Sequence, residues 1–359
     1  MPPTATATHG SAATHSVPGV PAAPAVITTV DYHTAGEPFR IVLEGAPEIP
    51  GATVAERRER AAAGGSIDLV RRLLCHEPRG HADMYGCFPV PPDDEGADLG
   101  VLFWHKDGYS TACGHGTIAL GVWAVESGQV IAAPDGITDV TIDVPSGRVL
   151  ARVRMSGARV DSVTFRNVPS YVLARGVEVE TARGTLTVDV AYGGAIYASL
   201  DAGAAGLAVT PERLAELIAL GRDVKRALDA TEHARHPSDA RLSGIYGTIL
   251  FEDLGDGPEG PRQRNVTIFA DGEVDRSPCG SATSARLALL ATEGRMDASS
   301  VLSHRSIIGT EFRARVAEEL EADGRDAFVT EVEGSAFRTG EHRFTLDPRD
   351  PLARGFVLR

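Results

Sequence analysis

The sequence predicts an α+β protein built from two related halves. Short runs of alternating apolar and polar residues, such as Val140–Val144 and Thr185–Val190, indicate antiparallel strands. Helical spacing appears elsewhere, but strands and helices do not alternate strictly as they do in a doubly wound parallel sheet. In addition, one segment that begins with Cys-Gly occurs twice, once in each half of the chain.

Composition excludes several classes of function. The 359 residues suggest about two domains. A net charge of −14 argues against binding to nucleic acid or to an anionic membrane, since both need clustered positive charge. The two lysines, Lys106 and Lys225, leave few candidates for Schiff-base chemistry, and four cysteines are too few for a disulfide scaffold. A glycine-rich phosphate or dinucleotide fingerprint is absent from the sequence.

The first 25 residues differ in composition from the rest of the chain. They are rich in Pro, Ala, Thr and Ser and lack the basic and apolar regions of a signal peptide, so we expect a disordered tail. His9 and His15 within it are a weak candidate for metal binding. The longest apolar stretches, such as Ile118–Val125, are too short to span a membrane. The predicted location is the cytoplasm, where thiols remain reduced.

The pattern of the N-terminal half predicts two strands followed by a helical region. Residues 25–31 and 40–43 are rich in β-branched residues and indicate strands. Residues 53–74 carry apolar side chains at helical spacing, which Gly64 and Gly65 interrupt. We therefore expect a helical region with a break at the two glycines.

The remaining elements follow from the same rules. Residues 99–104 predict a buried strand, and residues 211–232 predict an amphipathic helix with Pro211 near its start. The Gly- and Pro-rich segment 253–264 predicts an exposed loop. Further strands, a helix after Pro278 and C-terminal strands complete the chain.

The two Cys-Gly segments are the most informative feature of the sequence. They are CGHGTIALGVWAVESG at 113–128 and CGSATSARLALLATEG at 279–294. Thr occupies the fifth place and Ala the seventh in both. Each predicts one helix that ends at a glycine and carries its cysteine in the first turn. We infer two related half-molecules, with duplication as a hypothesis.

A cysteine at the start of a helix has a chemical use. The unpaired N–H groups there favour a thiolate, which lowers the cysteine pKa, and they can also hold a carboxylate. Gly114 and Gly280 carry no side chain that would block such a ligand. If the two helix ends face each other, Cys113 and Cys279 can act as base and acid on opposite faces of one carbon and invert it.

Other roles for these cysteines remain open from the residues alone. Each can be a buried bystander, and a Cys113–Cys279 disulfide is an alternative that a reducing compartment disfavours. The sequence lacks the Cys-x-x-Cys pair that is typical of zinc sites, so we predict no metal site at these cysteines. A cysteine protease would need a His and an orienting Asn or Asp, which the sequence does not exclude. Cys75 and Cys87 have no comparable setting and are predicted to be structural.

At these residues the chain resembles the proline racemase family. The matching motifs are DYHTAGEPFR at 31–40, EPRGHADMYG at 77–86, GYSTACGHG at 108–116 and DRSPCG at 275–280. The resemblance implies a diaminopimelate-epimerase-like fold, with two similar α/β domains and the active site in the cleft between them. The first domain would be 26–150, completed by a C-terminal strand at about 342–359, and the second would be 151–341.

The resemblance also implies roles for individual residues. Cys113 and Cys279 match the acid and base of a cofactor-independent reaction on an imino acid. The residues that match substrate contacts are Gly114, His115, Gly280 and Ser281 for the carboxylate, Asp275 for the amine, and Phe103 and Phe269 for the ring. As alternatives, the two phenylalanines can be ordinary core residues, and Asp275 can cap a turn. His115 can donate a hydrogen bond within the start of its own helix.

Departures from the family pattern bear on the substrate. Ala112 stands where the family usually has Met, and Gly280-Ser-Ala-Thr283 replaces Gly-Thr-Gly-Thr. Gly244 stands where hydroxyproline epimerases carry His, which disfavours 4-hydroxyproline. Related dehydratases usually replace the second cysteine with Thr or Ser, whereas this chain keeps Cys279.

Three hypotheses follow for the activity. The first is inversion of Cα in proline or a hydroxyproline, and the second is dehydration of trans-3-hydroxy-L-proline. The third is binding of an amino acid without catalysis. A homodimer is an alternative for the assembly that the sequence does not decide.

Overall fold

The computed structural model describes residues 26–347 and 349–358. The tail predicted at 1–25, with His9 and His15, lies outside the described residues. Within the described ranges, no helix combines the length and the apolar character that a membrane crossing requires.

Strands make up most of the described chain and pair into one continuous network. In chain order they are β1 (Val26–Thr34), β2 (Glu37–Glu44), β3 (Gly86–Val90), β4 (Leu99–His105), β5 (Gly108–Tyr109), β6 (Gly136–Val144), β7 (Gly147–Ser156), β8 (Arg159–Arg166), β9 (Ser170–Thr181), β10 (Gly184–Tyr192), β11 (Ile196–Asp201), β12 (Ile245–Gly257), β13 (Gly260–Phe269), β14 (Glu273–Asp275), β15 (Leu302–Ser306), β16 (Glu311–Ala322), β17 (Arg325–Gly334) and β18 (Ala336–Thr345).

Antiparallel pairing dominates the network. The parallel pairs among the described strands are β2 with β3, β4 with β6, β11 with β12, and β13 with β15. The other pairs are antiparallel, including the hairpin of β6 and β7 that the alternation in Val140–Val144 predicts. This mixture of pairings agrees with an α+β class and not with a doubly wound parallel sheet.

Helices form a smaller part of the structure and follow the predicted pattern. They are α1 (Val54–Ala62), α2 (Ser66–Cys75), α3 (Gly114–Glu126), α4 (Leu214–Asp229) and α5 (Gly280–Thr292). The break between α1 and α2 falls at Gly64 and Gly65, which both have positive φ. Thr53 caps α1 by accepting a hydrogen bond from the Glu56 N–H at 3.2 Å.

The two helices of the Cys-Gly segments, α3 and α5, are the most deeply buried. Every residue from Gly114 to Ala124 is buried, and so is every residue from Gly280 to Leu290. A helix without a polar face must be surrounded by other elements. Accordingly, α3 packs against β1, β7 and β8, while α5 packs against β9, β10, β16 and β17.

The C-terminal part of the chain returns to its start. Strand β18 pairs antiparallel with β1 along its length, and Phe356 forms a single bridge with Glu77. The division of the chain into domains at 26–150 and 151–341 stays a prediction.

The prediction of an exposed loop at 253–264 is wrong. Most of this segment belongs to the antiparallel hairpin of β12 and β13, in which Glu252 faces Arg264 and Asp253 faces Gln263. Its glycines and its two prolines lie near the tip and at an irregularity between Asp253 and Asp256, so they shape the hairpin without ending the strands early.

Candidate active site

Cys113 lies at the start of α3. Its backbone is extended, with φ −157° and ψ 103°, and it occupies the N-cap position immediately before the first helical turn. The Gly116 N–H donates to its Sγ at 3.2 Å. The cysteine therefore lies one residue before the first helical turn, in which the sequence predicts it. Its sulfur accepts a hydrogen bond from one of the N–H groups that are unpaired at the start of the helix.

Cys279 occupies the matching position before α5 in a different backbone conformation. Its φ of +62° lies in the left-handed region, which costs a non-glycine residue about 1 to 3 kcal/mol. The DRSPC motif holds this geometry. Ser277 donates its hydroxyl to Asp275 Oδ1 at 2.7 Å and accepts the Cys279 N–H at 3.0 Å.

The N-termini of α3 and α5 lie directly against each other. A Cβ added to Gly114 would lie 2.5 Å from the Gly280 Cα, and one added to Gly280 would lie 2.7 Å from the Gly114 Cα. Real side chains do not approach a backbone atom this closely. The glycine after each cysteine therefore lets two helix ends, each carrying a buried cysteine, share one small space.

Burial governs the ionisation of both thiols. It raises the pKa of Cys113 and of Cys279 well above the usual value, and the Asp275 carboxylate raises both further. The Gly116 N–H lowers the pKa of Cys113 and the Ala282 N–H lowers that of Cys279. The N–H groups of the helix ends thus lower the cysteine pKa values, as the sequence predicts. The prediction that both pKa values fall below the usual value is wrong, because the loss of hydration on burial is the larger effect.

We expect both cysteines to be alkylated by iodoacetamide with midpoints above the usual cysteine pKa of about 8.5. Because the Asp275 carboxylate raises both pKa values, Asp275→Asn should move the midpoints to lower pH. Mass spectrometry of the two labelled peptides gives the pH profile of each site. Asp297→Asn, at an exposed turn, is the control and should leave both profiles in place. Unchanged midpoints in Asp275→Asn would contradict this electrostatic coupling.

Asp275 and His115 lie together beside the cysteines. Asp275 Oδ2 is 3.8 Å from His115 Nδ1, and the two ring nitrogens of His115 lie 3.5 and 3.6 Å from Cys113 Sγ. Burial lowers the pKa of His115, although Asp275 opposes the effect, so the ring is neutral near pH 7. A buried carboxylate beside a neutral imidazole is suited to binding a cation.

The other residues expected at the site lie in two settings. Ser281, in the first turn of α5, has a buried Oγ for which the described residues provide no hydrogen-bond partner. Phe269, at the end of β13, packs against Tyr85 and stacks on Tyr246, with centroid distances of 5.9 and 5.6 Å. Phe103, on β4, is fully buried.

Phe103 is connected to the site through Phe39. The Phe39 ring lies 6.1 Å from the Phe103 ring and 5.8 Å from the His115 ring, measured between centroids. Phe39 thus contacts both Phe103 and the histidine beside Cys113.

Four hydroxyl side chains near the cysteines were not anticipated from the sequence. The Tyr85 hydroxyl contacts Ser110 Oγ and lies 3.2 Å from the Tyr246 hydroxyl, and these three residues are called the hydroxyl cluster below. The Tyr197 hydroxyl lies 4.0 Å from Cys279 Sγ. Tyr85 and Ser110 lie within motifs that the sequence had indicated, but no spacing in the sequence places these hydroxyls together.

A cavity of about 450 Å³, called the vestibule below, opens beside the hydroxyl cluster. Ser110 and Tyr246 are part of its wall. Its other lining includes a set of basic side chains, namely Arg58, Arg222, Lys225 and Arg226. Two members of the hydroxyl cluster therefore line the vestibule.

Within the described part of the chain, one group of side chains is compact enough to hold a cation. Ligand atoms of His105, Asp107 and Glu273 lie within 4.8 Å of one another. However, the Lys106 ammonium lies 2.8 Å from both Asp107 carboxylate oxygens, and His105 Nδ1 lies 3.0 Å from Glu273 Oε1. Asp107 is thus held in an ion pair with Lys106, and one Glu273 oxygen is hydrogen-bonded to His105, so we assign no metal to this group.

Comparisons with known proteins find similarity to one family along nearly the whole described chain. A family model described as Proline racemase matches residues 29–357. A Burkholderia multivorans protein named 3-hydroxyproline 2-epimerase is 44% identical over 337 residues, which cover 93% of this chain and 98% of that protein. A Bacillus thuringiensis protein named trans-3-hydroxy-L-proline dehydratase is 43% identical over 333 residues, with the same coverage.

A solved structure adds a likeness in three dimensions. The hydroxyproline epimerase of Agrobacterium vitis, crystallised with trans-4-hydroxy-L-proline, superposes with a TM-score of 0.85 at 30% identity. The match covers 93% of this chain and 96% of that one. The similarity in sequence therefore extends to the whole arrangement of strands and helices.

Proposed function

Because the chain belongs to the proline racemase family, we propose that it inverts Cα of a 3-hydroxyproline, with Cys113 and Cys279 as the acid–base pair. The observation that carries this proposal is the contact between the two helix N-termini, each with a buried cysteine at its N-cap position. An inversion needs one group that removes a proton and a second that returns a proton to the opposite face. Two sulfurs on facing helix ends supply both groups.

The reaction begins with one cysteine as thiolate and the other as thiol. The thiolate takes the proton from Cα, and the electron pair of the C–H bond delocalises towards the carboxylate. The thiol on the opposite face then gives its proton to Cα. The substrate leaves inverted and the two cysteines have exchanged protonation states. The pair titrates as a coupled unit, and these steps require no group beyond the two sulfurs.

The neighbouring residues position the substrate in this proposal. The free N–H groups of the first helical turns, at Gly114, His115, Gly280 and Ser281, bind the carboxylate. Asp275 binds the ring amine. This role suits a buried carboxylate whose neighbour, His115, is uncharged and does not neutralise it. Phe269 packs against the ring, and Phe103 supports the site from behind Phe39. We also place this site in a cleft between two similar halves of the chain.

The choice of 3-hydroxyproline follows from the relatives. Proteins with over 40% identity carry names that refer to 3-hydroxyproline, both as epimerases and as dehydratases. The second candidate function is therefore dehydration of trans-3-hydroxy-L-proline. In that reaction Cα loses its proton, the C3–O bond breaks, and water leaves as the hydroxyl takes up a proton. Hydroxyl donors beside Cys113 favour this alternative, while retention of Cys279 favours inversion.

The two functions are distinguished by incubation in D2O with L-proline, trans-4-hydroxy-L-proline and trans-3-hydroxy-L-proline, each followed by proton NMR. We expect the Cα signal of trans-3-hydroxy-L-proline to disappear as its epimer forms with deuterium at Cα. Loss of the ring hydroxyl would instead support dehydration. No change in any substrate would contradict both functions and support a binding protein without catalysis.

A further inference from the structure

The hydroxyl cluster is built into the wall of the proposed substrate site, although none of its members belongs to the acid–base pair. Tyr85 is fully buried, with its ring edge-on to His115 at 4.9 Å and to Phe269 at 5.9 Å between centroids. The His115 ring nitrogens in turn lie 3.5 and 3.6 Å from the Cys113 sulfur, and the Tyr85 hydroxyl lowers the pKa of Cys113 against a larger effect of burial. The cluster therefore lies directly beside one of the two reacting groups.

We propose that the hydroxyl cluster, Tyr85, Ser110 and Tyr246, binds the ring hydroxyl of the substrate at C3 and so selects 3-hydroxyproline over proline. This inference rests on the proposed function and adds a specificity subsite to the same site. The group that this subsite binds is a neutral hydroxyl, in contrast to the charged groups bound by Asp275 and by the helix ends.

Hydrogen-bonding capacity supports this ligand. The two contacts within the cluster, Tyr85 with Ser110 and Tyr85 with Tyr246, leave lone pairs on all three oxygens. A ring hydroxyl can both donate and accept, so it fits such a cluster in any orientation of the protons. A ring hydroxyl adds a hydrogen bond to this cluster that an unsubstituted proline ring cannot make, so proline binds less well.

The position of the cluster favours C3 of the ring. Cys113 acts at Cα in the proposed reaction, and the Tyr85 ring packs edge-on against His115, whose ring nitrogens lie 3.5 and 3.6 Å from the Cys113 sulfur. C3 is bonded to Cα, whereas C4 is one bond further away. On the other side of the cluster, Tyr246 stacks on Phe269 and borders the vestibule, so its side chain lies between the ring wall and the opening.

The test uses Tyr246→Phe, which keeps the ring stacked on Phe269 and removes only the hydroxyl. Isothermal titration calorimetry of the full-length protein measures binding of L-proline, trans-3-hydroxy-L-proline and trans-4-hydroxy-L-proline. We expect the wild type to bind the 3-hydroxy compound most tightly. The variant should lose about tenfold in affinity for it, as for one hydrogen bond, and stay within about twofold for L-proline. Ser110→Ala should show the same selective loss.

Tyr192→Phe is the matched control. Its ring stacks on Tyr171 at a centroid distance of 5.1 Å, outside the site, and all three affinities should be unchanged. Equal losses for proline and 3-hydroxyproline in Tyr246→Phe, no loss at all, or failure of the wild type to bind 3-hydroxyproline would overturn the subsite. A selective loss in a protein that binds but does not turn over 3-hydroxyproline would support the subsite and contradict the proposed function.

Discussion

Replacement of either cysteine by serine is expected to lower the rate of Cα inversion by at least about a thousandfold. A serine hydroxyl has a much higher pKa than a thiol, so it neither removes the Cα proton nor returns one at a useful rate. Cys113→Ser and Cys279→Ser are nearly isosteric and should retain substrate binding. Polarimetry or chiral chromatography of 3-hydroxyproline measures inversion, and calorimetry measures binding.

Cys75→Ser is the control for this pair. Cys75 is buried away from the site and its Sγ donates to the Met84 carbonyl at 3.2 Å, a hydrogen bond that a serine hydroxyl can also make. This variant should invert the substrate at nearly the wild-type rate. Full inversion by either Cys113→Ser or Cys279→Ser would show that the two-base mechanism is wrong.

The same variants separate inversion from dehydration. In trans-3-hydroxy-L-proline the hydroxyl is trans to the carboxylate, so it lies on the same ring face as the Cα proton. Elimination can therefore proceed with the sulfur on that one face, together with hydroxyl donors beside it. A dehydratase should retain activity in one of the two variants, whereas inversion should fail in both.

The second large effect is expected from Gly280→Ala. The added methyl group would lie 2.7 Å from the Gly114 Cα, so the two helix ends must move apart. We expect overpacking to reduce the free energy of unfolding by about 1 to 3 kcal/mol. Displacement of the reacting groups should lower kcat/KM by about a hundredfold. Urea unfolding and steady-state kinetics measure the two effects.

Gly114→Ala should behave in the same way, because its methyl group would meet the Gly280 Cα at 2.5 Å. Gly340→Ala provides the control, since the nearest atom to its new methyl group, in His342, is 3.7 Å away. Wild-type kcat/KM in Gly280→Ala would mean that contact between the helix ends is not needed for catalysis.

Much of the candidate site was predictable because its main elements are local in sequence. The repeated Cys-Gly segment predicts two helices with cysteines at their starts, and the structure places both cysteines at N-caps. The glycine after each cysteine was predicted to keep the helix end open to a ligand. The structure adds a second reason for it, since each glycine also permits the backbone of the other helix to approach.

The remainder depends on contacts between distant parts of the chain. The hydroxyl cluster joins side chains from positions 85, 110 and 246, and no local periodicity indicates that they meet. The raised pKa values of the thiols follow from burial, which the sequence does not quantify. The hairpin of β12 and β13 was mistaken for a loop because glycine and proline at its tip resemble loop composition.

The position of deuterium early in the reaction in D2O tests the central claim most directly. If two sulfurs act on opposite faces, the inverted 3-hydroxyproline carries deuterium at Cα while the recovered starting epimer still carries protium. Proton NMR of the two separated epimers at low conversion distinguishes the cases. Protium retained in the inverted product, or deuterium appearing equally in both epimers from the start, would contradict the two-cysteine account.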